Sequence, residues 1–242
     1  MRKVRLDRVI VRLGLVNNLD QAEDSIRLGK VRINNQITTN VNYLLRTDDI
    51  KNVRVDSNQD YVSRGGYKLA SVAAKLDLNF KDRIILDIGS STGGFTDYAL
   101  QNGALKVIAV DAGTQQMDLS LRRNPKIELH EKTDIRDFKI EKNISFILID
   151  VSFISIRKIL YYLTGSINKN TEIVAMVKPQ FETNDNNIKH KGIIKNERIR
   201  RDILKDFENW VKEYYVILEK ADSLVSGTRG NTERFYLLKL SK

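Results

Sequence analysis

Residues 84–95 read Ile-Ile-Leu-Asp-Ile-Gly-Ser-Ser-Thr-Gly-Gly-Phe. A short apolar run rich in β-branched residues predicts a buried strand over Ile84–Ile88. The Gly/Ser segment that follows predicts a tight loop, and a helix is expected over Gly94–Asn102. Strand, glycine loop and helix in that order form a nucleotide-site unit. The spacing is not the Gly-x-Gly-x-x-Gly of dinucleotide folds, and the Gly-Lys-Ser/Thr ending of a phosphate-binding loop is missing. Asp87 is expected at the strand tip, where a carboxylate repels pyrophosphate. A cofactor with a positive centre and no phosphate fits better. S-adenosylmethionine (SAM) carries an ammonium and a sulfonium, and glycines allow the backbone to approach it closely.

The pattern repeats on the C-terminal side. Strands are expected at Lys106–Val110, Ile127–His130, Phe146–Ile149, Ile173–Val177, Val216–Leu224 and Arg234–Leu240. Helices are expected near Ser155–Leu163 and Glu197–Tyr214. Such alternation means a doubly wound α/β sheet, a Rossmann-like fold. The last two strands have no helix between them and are expected as an antiparallel edge pair. Residues 61–242 form this domain. The polar stretch Thr183–Lys191 is expected to be an exposed loop, either a lid or plain surface.

Residues 1–60 form a smaller N-terminal α+β domain. Leu6, Val9, Ile10 and Leu13 recur at helical spacing before Gly14, and a second helix is expected over Leu19–Leu28 with Asn18 as its N-cap and Gly29 as its stop. Lys30–Ile33 and Gln36–Thr38 flank Asn34-Asn35 as a hairpin, and Lys51–Val55 reads as a further strand.

Composition narrows the function. The 242 residues hold 41 Lys/Arg against 31 Asp/Glu, a net charge of +10. That balance fits a polyanionic partner and equally fits simple solubility. Cysteine is absent, which excludes disulfide scaffolds, thiol catalysis and Cys-ligated metal. His130 and His190 are the two histidines, too few for a His-rich metal site. No apolar run approaches the ~18 residues of a membrane span. No secretory leader follows the basic N-terminus, so the protein is expected to be cytoplasmic.

The glycine loop supplies Gly89, Ser90, Ser91, Gly93, Gly94 and Phe95 to a cofactor site with Asp87. Asp111 ends the next strand, about 20 residues on, where a carboxylate meets ribose hydroxyls. Asp134, followed by Ile135, comes after the third strand and is placed for an adenine amine. Asp150 and Lys178 each follow an apolar strand, so both belong at the carboxyl edge of the sheet. A Lys beside an Asp there serves base chemistry or forms a structural ion pair.

The motifs Ser63-Arg64-Gly65-Gly66-Tyr67-Lys68-Leu69, Asp150-Val151-Ser152-Phe153, Val177-Lys178-Pro179-Gln180-Phe181-Glu182 and Gly230-Asn231-Thr232-Glu233 resemble those of the TlyA family. These are RNA 2′-O-methyltransferases, some described historically as haemolysins, whose catalytic region is similar to the RrmJ/FtsJ-like enzymes. The resemblance implies a catalytic tetrad of Lys68, Asp150, Lys178 and Glu233. It implies SAM as cofactor, ribosomal RNA or ribosomal subunits as partner, a cytidine ribose as target, and neither metal nor membrane. Lys68 could also merely flank the apolar stripe Leu69, Val72, Ala73 and Leu76.

Residues 2–55 resemble an S4 RNA-binding domain through Arg5-Leu6-Asp7, Ala22, Ile26, Gly29-Lys30-Val31 and Ile33-Asn34. The resemblance implies RNA contacts from Arg5, Arg8, Arg27, Lys30 and Arg32, with Arg64 beside them. The sequence departs from the family at Asn18-Leu19, where Ser-Arg is usual, and at Leu224, where Pro is common. Two other classes stay open on the sequence: a non-catalytic RNA-binding or ribosome-assembly factor, and a membrane-lytic haemolysin.

Overall fold

Five parallel strands carry the functional end of the larger unit in the computed structural model. The structure describes residues 3–16, 19–27, 29–56, 61–141, 143–183, 192–194, 196–225, 227 and 230–241. The chain divides into two compact units, 1–64 and 65–242. The expected α/β architecture with a small α+β N-terminal unit is present.

In the N-terminal unit, β1 (Lys3–Arg5) leads into α1 (Leu6–Arg12), followed by α2 (Leu19–Arg27), β2 (Val31–Ile33), β3 (Gln36–Thr38), β4 (Leu44–Arg46) and β5 (Val53–Val55). β1 pairs with β4, and β2 pairs with both β3 and β5, all antiparallel. Asn34 and Asn35 both have positive φ, 50° and 66°. Two-residue hairpin turns that match strand twist need that geometry, and Asn tolerates it. Leu6, Ile10, Ala22, Ile26, Val31 and Leu45 are fully buried and form the core. One expectation is corrected. Lys51 and Asn52 belong to a 3-10 segment, Thr47–Asn52, and the strand starts only at Val53. Asn18 and Leu28 lie outside the described residues.

The larger unit opens with α3 (Arg64–Ala73), which starts at the border between the units. Its sheet contains β6 (Ile84–Ile88), β7 (Lys106–Val110), β8 (Ile127–His130), β9 (Phe146–Ile149), β10 (Glu172–Val177), β11 (Tyr215–Asp222) and β12 (Arg234–Leu240). The strand order is β11-β12-β10-β9-β6-β7-β8. β8, β7, β6, β9 and β10 run parallel, while β12 is antiparallel to β10 and to β11. The expected antiparallel edge pair is therefore present. The helices are α4 (Gly94–Gln101), α5 (Leu119–Arg122), α6 (Ile156–Thr164), α7 (Pro179–Glu182) and α8 (Glu197–Val211). β11 ends at Asp222 rather than Leu224, and Leu224 is 83% exposed beyond it.

Strand apolarity explains the core. Leu86, Ile108, Ile147, Ile149, Ala175 and Val177 are buried, as expected for parallel strands covered on both faces. α8 adds Leu204, Phe207 and Val211 at helical spacing. Chain direction fixes the site. The sheet grows from β6 outward through β7 and β8, then returns to the other side of β6 with β9 and β10. The reversal lies between β6 and β9, and ligands bind at the carboxyl ends of strands at such a switch point.

Candidate functional site

A cavity of about 540 Å³ opens at that switch point. Asp150 donates its N–H to the Ile88 carbonyl (3.0 Å), and Gly89 donates its own to Val110 (2.8 Å). Gly89 has φ +79°, and a Cβ there would lie 2.4 Å from the Asp150 carbonyl oxygen. The backbones of the β6 and β9 ends thus approach too closely for any side chain, which is why glycine opens the loop. Asp111 then fixes two loops at once. Its carboxylate accepts the N–H of Ser91 (2.7 Å) and of Gly113 (2.6 Å). The Ser91 hydroxyl donates to Gln116 (3.0 Å).

Of the expected cofactor residues, Gly89, Ser91, Asp111, Asp134 and Ile135 line this cavity. Asp87, Ser90, Gly93, Gly94 and Phe95 do not; they are buried behind it, or in the helix start that follows. Asp87 is a correction in place. Rather than standing at the strand tip, it is fully buried within β6, where the Thr96 hydroxyl donates to its Oδ2 (2.6 Å). Its Oδ1 is buried without a hydrogen-bond partner. Burial pushes its carboxyl up to about 7, and the Asp150 and Asp111 carboxylates add to the rise. Asp134 is held by its own neighbour: Arg136 donates Nε (2.9 Å), a second guanidinium nitrogen (2.5 Å) and its backbone N–H (2.9 Å). The carboxyl is lowered to about 2 by those bonds.

A second cavity of about 270 Å³ is lined by Lys68, Lys178, Glu233, Asn231, Ser152 and Phe153, among others. Ser152 and Phe153 also line the first cavity, so the two spaces meet there. Sheet register assembles this wall. Val177 pairs with Arg234 across β10 and β12, so the next rung sets Lys178 against Glu233. Ile149 pairs with Ala175 across β9 and β10, which brings Asp150 alongside. Lys178 Nζ lies 2.5 Å from Asp150 Oδ1 and donates to the Ser152 hydroxyl at 2.7 Å. Lys68, from the second turn of α3, donates to Glu233 Oε1 at 3.2 Å, and both side chains are more than nine-tenths buried. A Cβ on Gly227 would lie 2.4 Å from Glu233 Oε1, so a side chain there would displace the Glu233 carboxylate. Asn231 accepts the Ile194 N–H (2.9 Å) and donates to the Gly192 carbonyl (2.7 Å), fastening that segment beside the cavity. Residues 184–191, most of the loop read as a lid, lie outside the described residues.

The four residues of the implied tetrad thus form two ion pairs, Lys178–Asp150 and Lys68–Glu233. Sequence reasoning did not single out Ser152, Phe153, Gln116 or Asn231. Phe153 is conspicuous: it has φ +65°, it is 93% exposed, and its ring centroid lies 5.5 Å from that of Phe181. Non-glycine residues in the left-handed region are sparse and concentrate at functional sites.

In the N-terminal unit, several expected RNA-facing cations are engaged internally. Arg5 forks onto Asp7 (3.1 and 2.6 Å), Arg27 lies 3.6 Å from Glu23, and Arg32 reaches Asp56 (3.0 Å). Arg8 is exposed, whereas Lys30 is half-buried. Arg64 is corrected: it is 6% exposed and does not present its guanidinium to solvent. Among the described residues no helix is long and apolar enough to cross a membrane, and no cluster of three His, Asp or Glu side chains could hold a metal ion.

Both units match known protein families. A family model described as FtsJ-like methyltransferase matches residues 61–240, and one described as S4 domain matches residues 4–51. The chain is 43% identical over 179 residues to the 23S rRNA (cytidine-2′-O)-methyltransferase TlyA of Campylobacter jejuni, covering 73% of this chain and 70% of the relative. It is 32% identical over 243 residues to the 16S/23S rRNA (cytidine-2′-O)-methyltransferase TlyA of Mycobacterium tuberculosis, covering 98% and 90%. A solved structure of a provisionally named hemolysin from Streptococcus thermophilus superposes with a TM-score of 0.75 at 33% identity, covering 100% of this chain and 90% of that one.

Proposed function

Because the chain belongs to the TlyA family of FtsJ-like methyltransferases, we propose that it methylates a ribose 2′-hydroxyl of ribosomal RNA, with cytidine as the nucleoside and SAM as methyl donor. The observation that carries this reading is the junction of the two cavities. Asp150 lines the first, Lys178 lines the second, and they touch at 2.5 Å. A donor in one space and an acceptor in the other would meet at that pair.

The larger cavity fits the donor. Its volume lies within the ~300–1,000 Å³ of small-molecule sites. Asp111 and Asp150 line it and both raise the carboxyl of Asp87 buried behind it, a concentration of acidic groups that favours a cation. SAM supplies an electrophilic methyl on a sulfonium. Asp111 holds the ribose hydroxyls while its two oxygens also fix the Ser91 and Gly113 loops. Gly89, without a side chain, lets the loop backbone lie directly against the Asp150 carbonyl.

Lys178 orients the acceptor hydroxyl. Lys178 donates to Ser152 and is ion-paired with Asp150, which leaves a further position on its nitrogen for the 2′-hydroxyl. Lys178, having first released one proton to solvent, would take the hydroxyl proton as the oxygen–methyl bond forms and the carbon–sulfur bond breaks with its electron pair left on sulfur. Lys68 adds positive potential where alkoxide character develops, and Glu233 holds Lys68. Phe153 offers an exposed ring face for the nucleobase, and the N-terminal unit offers exposed Arg8 to RNA phosphates, while Arg5, Arg27 and Arg32 would have to exchange their carboxylate partners for phosphate.

Two results are expected. Asp87 must shed a proton when a cation binds nearby, so SAM affinity should rise between about pH 6 and pH 8. Asp87→Asn should flatten that dependence, and calorimetry in buffers of different ionisation enthalpy reads the proton directly. The sign for the ligand-free fold is opposite. Its Asp87 carboxyl titrates above the ordinary carboxylate value of 3.8, so its contribution to stability is full below that pH and is lost as pH rises through about 7. Phe153→Ala should lower kcat/KM for RNA about 10-fold, since stacking on one base is worth ~1–3 kcal/mol, with SAM affinity unchanged. A fall in SAM affinity instead would assign Phe153 to the cofactor. The whole reading is tested by transfer of labelled methyl from SAM to purified ribosomal subunits and to naked rRNA. Label in ribose supports it. SAM binding with no label on either substrate contradicts it, and absence of SAM binding moves the assignment to a non-catalytic RNA-binding factor.

A further inference from the structure

Glu182 sits four residues after Lys178, at the end of the single-turn helix α7. Its side chain is 2% exposed. The carboxylate does not face either cavity. Oε1 accepts the Ile156 N–H at 2.8 Å, and Oε2 accepts the Ser155 hydroxyl at 2.7 Å. Arg157 Nε lies 3.4 Å from Oε2, an ion pair rather than a hydrogen bond.

These partners are the start of α6. Ser155 is its N-cap and accepts the Arg157 N–H (3.3 Å), and the first turn of α6 contains no acidic residue. Glu182 therefore supplies, from 26 residues away, the negative charge and the acceptor that a helix N-terminus needs. Arg157 in turn reaches Asp206 on α8 (2.6 Å) and lies over the Trp210 ring at 5.5 Å. The base of α6 is thus tied to the body of the unit.

The consequence lies in what the two joined segments carry. One runs from Asp150 through Ser152 and Phe153 to Ser155. The other runs from Lys178 through Phe181 to Glu182. They touch at three levels: Asp150 with Lys178 at one end, Phe153 with Phe181 between, and Ser155 and Ile156 with Glu182 at the other end. The ion pair is partly open to solvent, with Asp150 24% and Lys178 12% exposed, and the Phe153 ring is almost wholly exposed. The Glu182 contact is the most enclosed of the three, its carboxylate side chain being 2% exposed. Lys178 itself belongs to no regular element; it is the residue between β10 and α7.

We propose that Glu182 is a positioning residue that, by capping α6 from α7, holds Lys178 at Asp150 and keeps Phe181 and Phe153 together at the junction of the two cavities. The inference rests on the methyltransferase reading for its kinetic test and on geometry alone for its structural one. Glu182→Ala should lower kcat for methyl transfer to rRNA at least 10-fold, with SAM affinity within about 2-fold of wild type, because the Gly89 and Asp111 loops are untouched. Glu182→Gln retains an acceptor for Ile156 and can donate to Ser155, so it should recover kcat to within about 3-fold. A crystal structure of Glu182→Ala should have Lys178 Nζ withdrawn from Asp150. Wild-type kcat in folded Glu182→Ala would overturn the proposal, as would Glu182→Gln as defective as Glu182→Ala. If Glu182→Ala does not fold, Ser155→Ala, which removes one of the two bonds, decides by the same kinetics. Wild-type protein that transfers no methyl to RNA would sink the substrate reading instead. The Lys178–Asp150 separation in the variant would then decide the positioning role by itself.

Discussion

Lys178→Ala is expected to cut methyl transfer at saturating SAM and RNA by at least about 100-fold, within the 10²–10⁴ range for a positioned acid–base group, while SAM affinity stays within about 2-fold. The split follows from placement. Lys178 lines the smaller cavity and is not on the wall of the larger one. Its loss removes the group that faces the acceptor hydroxyl and leaves the Asp111 and Gly89 loops intact. Asp150, 24% exposed, can rehydrate, so the fold should tolerate the change. Lys178→Arg is the sharper probe. It keeps the charge and the pairing with Asp150, but a planar guanidinium is bulkier and does not give up a proton. Little recovery is expected. An alanine variant that keeps more than one-tenth of wild-type kcat would remove Lys178 from the chemistry, and parallel losses of kcat and SAM binding would make the residue structural.

The Lys68–Glu233 pair should produce the largest effect on stability. Both side chains are more than nine-tenths buried, and Glu233 Oε2 already lacks a partner. Lys68→Met strands a carboxylate in that site, at a cost of about 3–5 kcal/mol for a broken buried pair. Lys68→Met combined with Glu233→Leu removes both charges and replaces them with apolar groups of similar size, so most of that loss should return. Activity should not return, because the positive potential beside the acceptor cavity is gone. Urea unfolding of wild type, both single variants and the double variant checks this. Equal losses in the single and double variants would mean that the pair contributes packing rather than charge complementarity. Recovery of activity in the double variant would exclude Lys68 from catalysis.

The parts of this fold readable in the sequence are those governed by local rules. Ile84–Ile88, Lys106–Val110 and Phe146–Ile149 are apolar apart from Asp87 and Lys106, and their observed bounds match because burial on both faces leaves little choice of residue. The pair Asn34-Asn35 signals its own turn geometry. Lys3–Arg5 and Leu44–Arg46 gave no such signal. Each is three residues long, too short for a period of two to register, and they form a strand pair only because they meet across about 40 residues. Lys51 and Asn52 failed differently: the 3-10 turn from Thr47 satisfies their backbone locally and delays the strand to Val53.

The candidate site divides along the same line. Residues at strand ends, such as Asp111, Asp150 and Lys178, are positioned by sheet topology, which alternation of strands and helices reveals. Asp87 and Arg64 are also polar residues beside motifs, but burial is a tertiary property that spacing does not encode. Phe153 and Glu182 lay inside recognised motifs. Their importance comes from a positive φ in one case and a contact 26 residues away in the other, and neither is a pattern in the letters.

The central claim is that this junction methylates a ribose oxygen of rRNA. Nucleoside mass spectrometry of rRNA incubated with the protein and isotopically labelled SAM tests it most directly. The account predicts labelled 2′-O-methylcytidine in the wild-type reaction and none with Lys178→Ala. Label on a nucleobase, or rRNA without label from a protein that binds SAM, would contradict it.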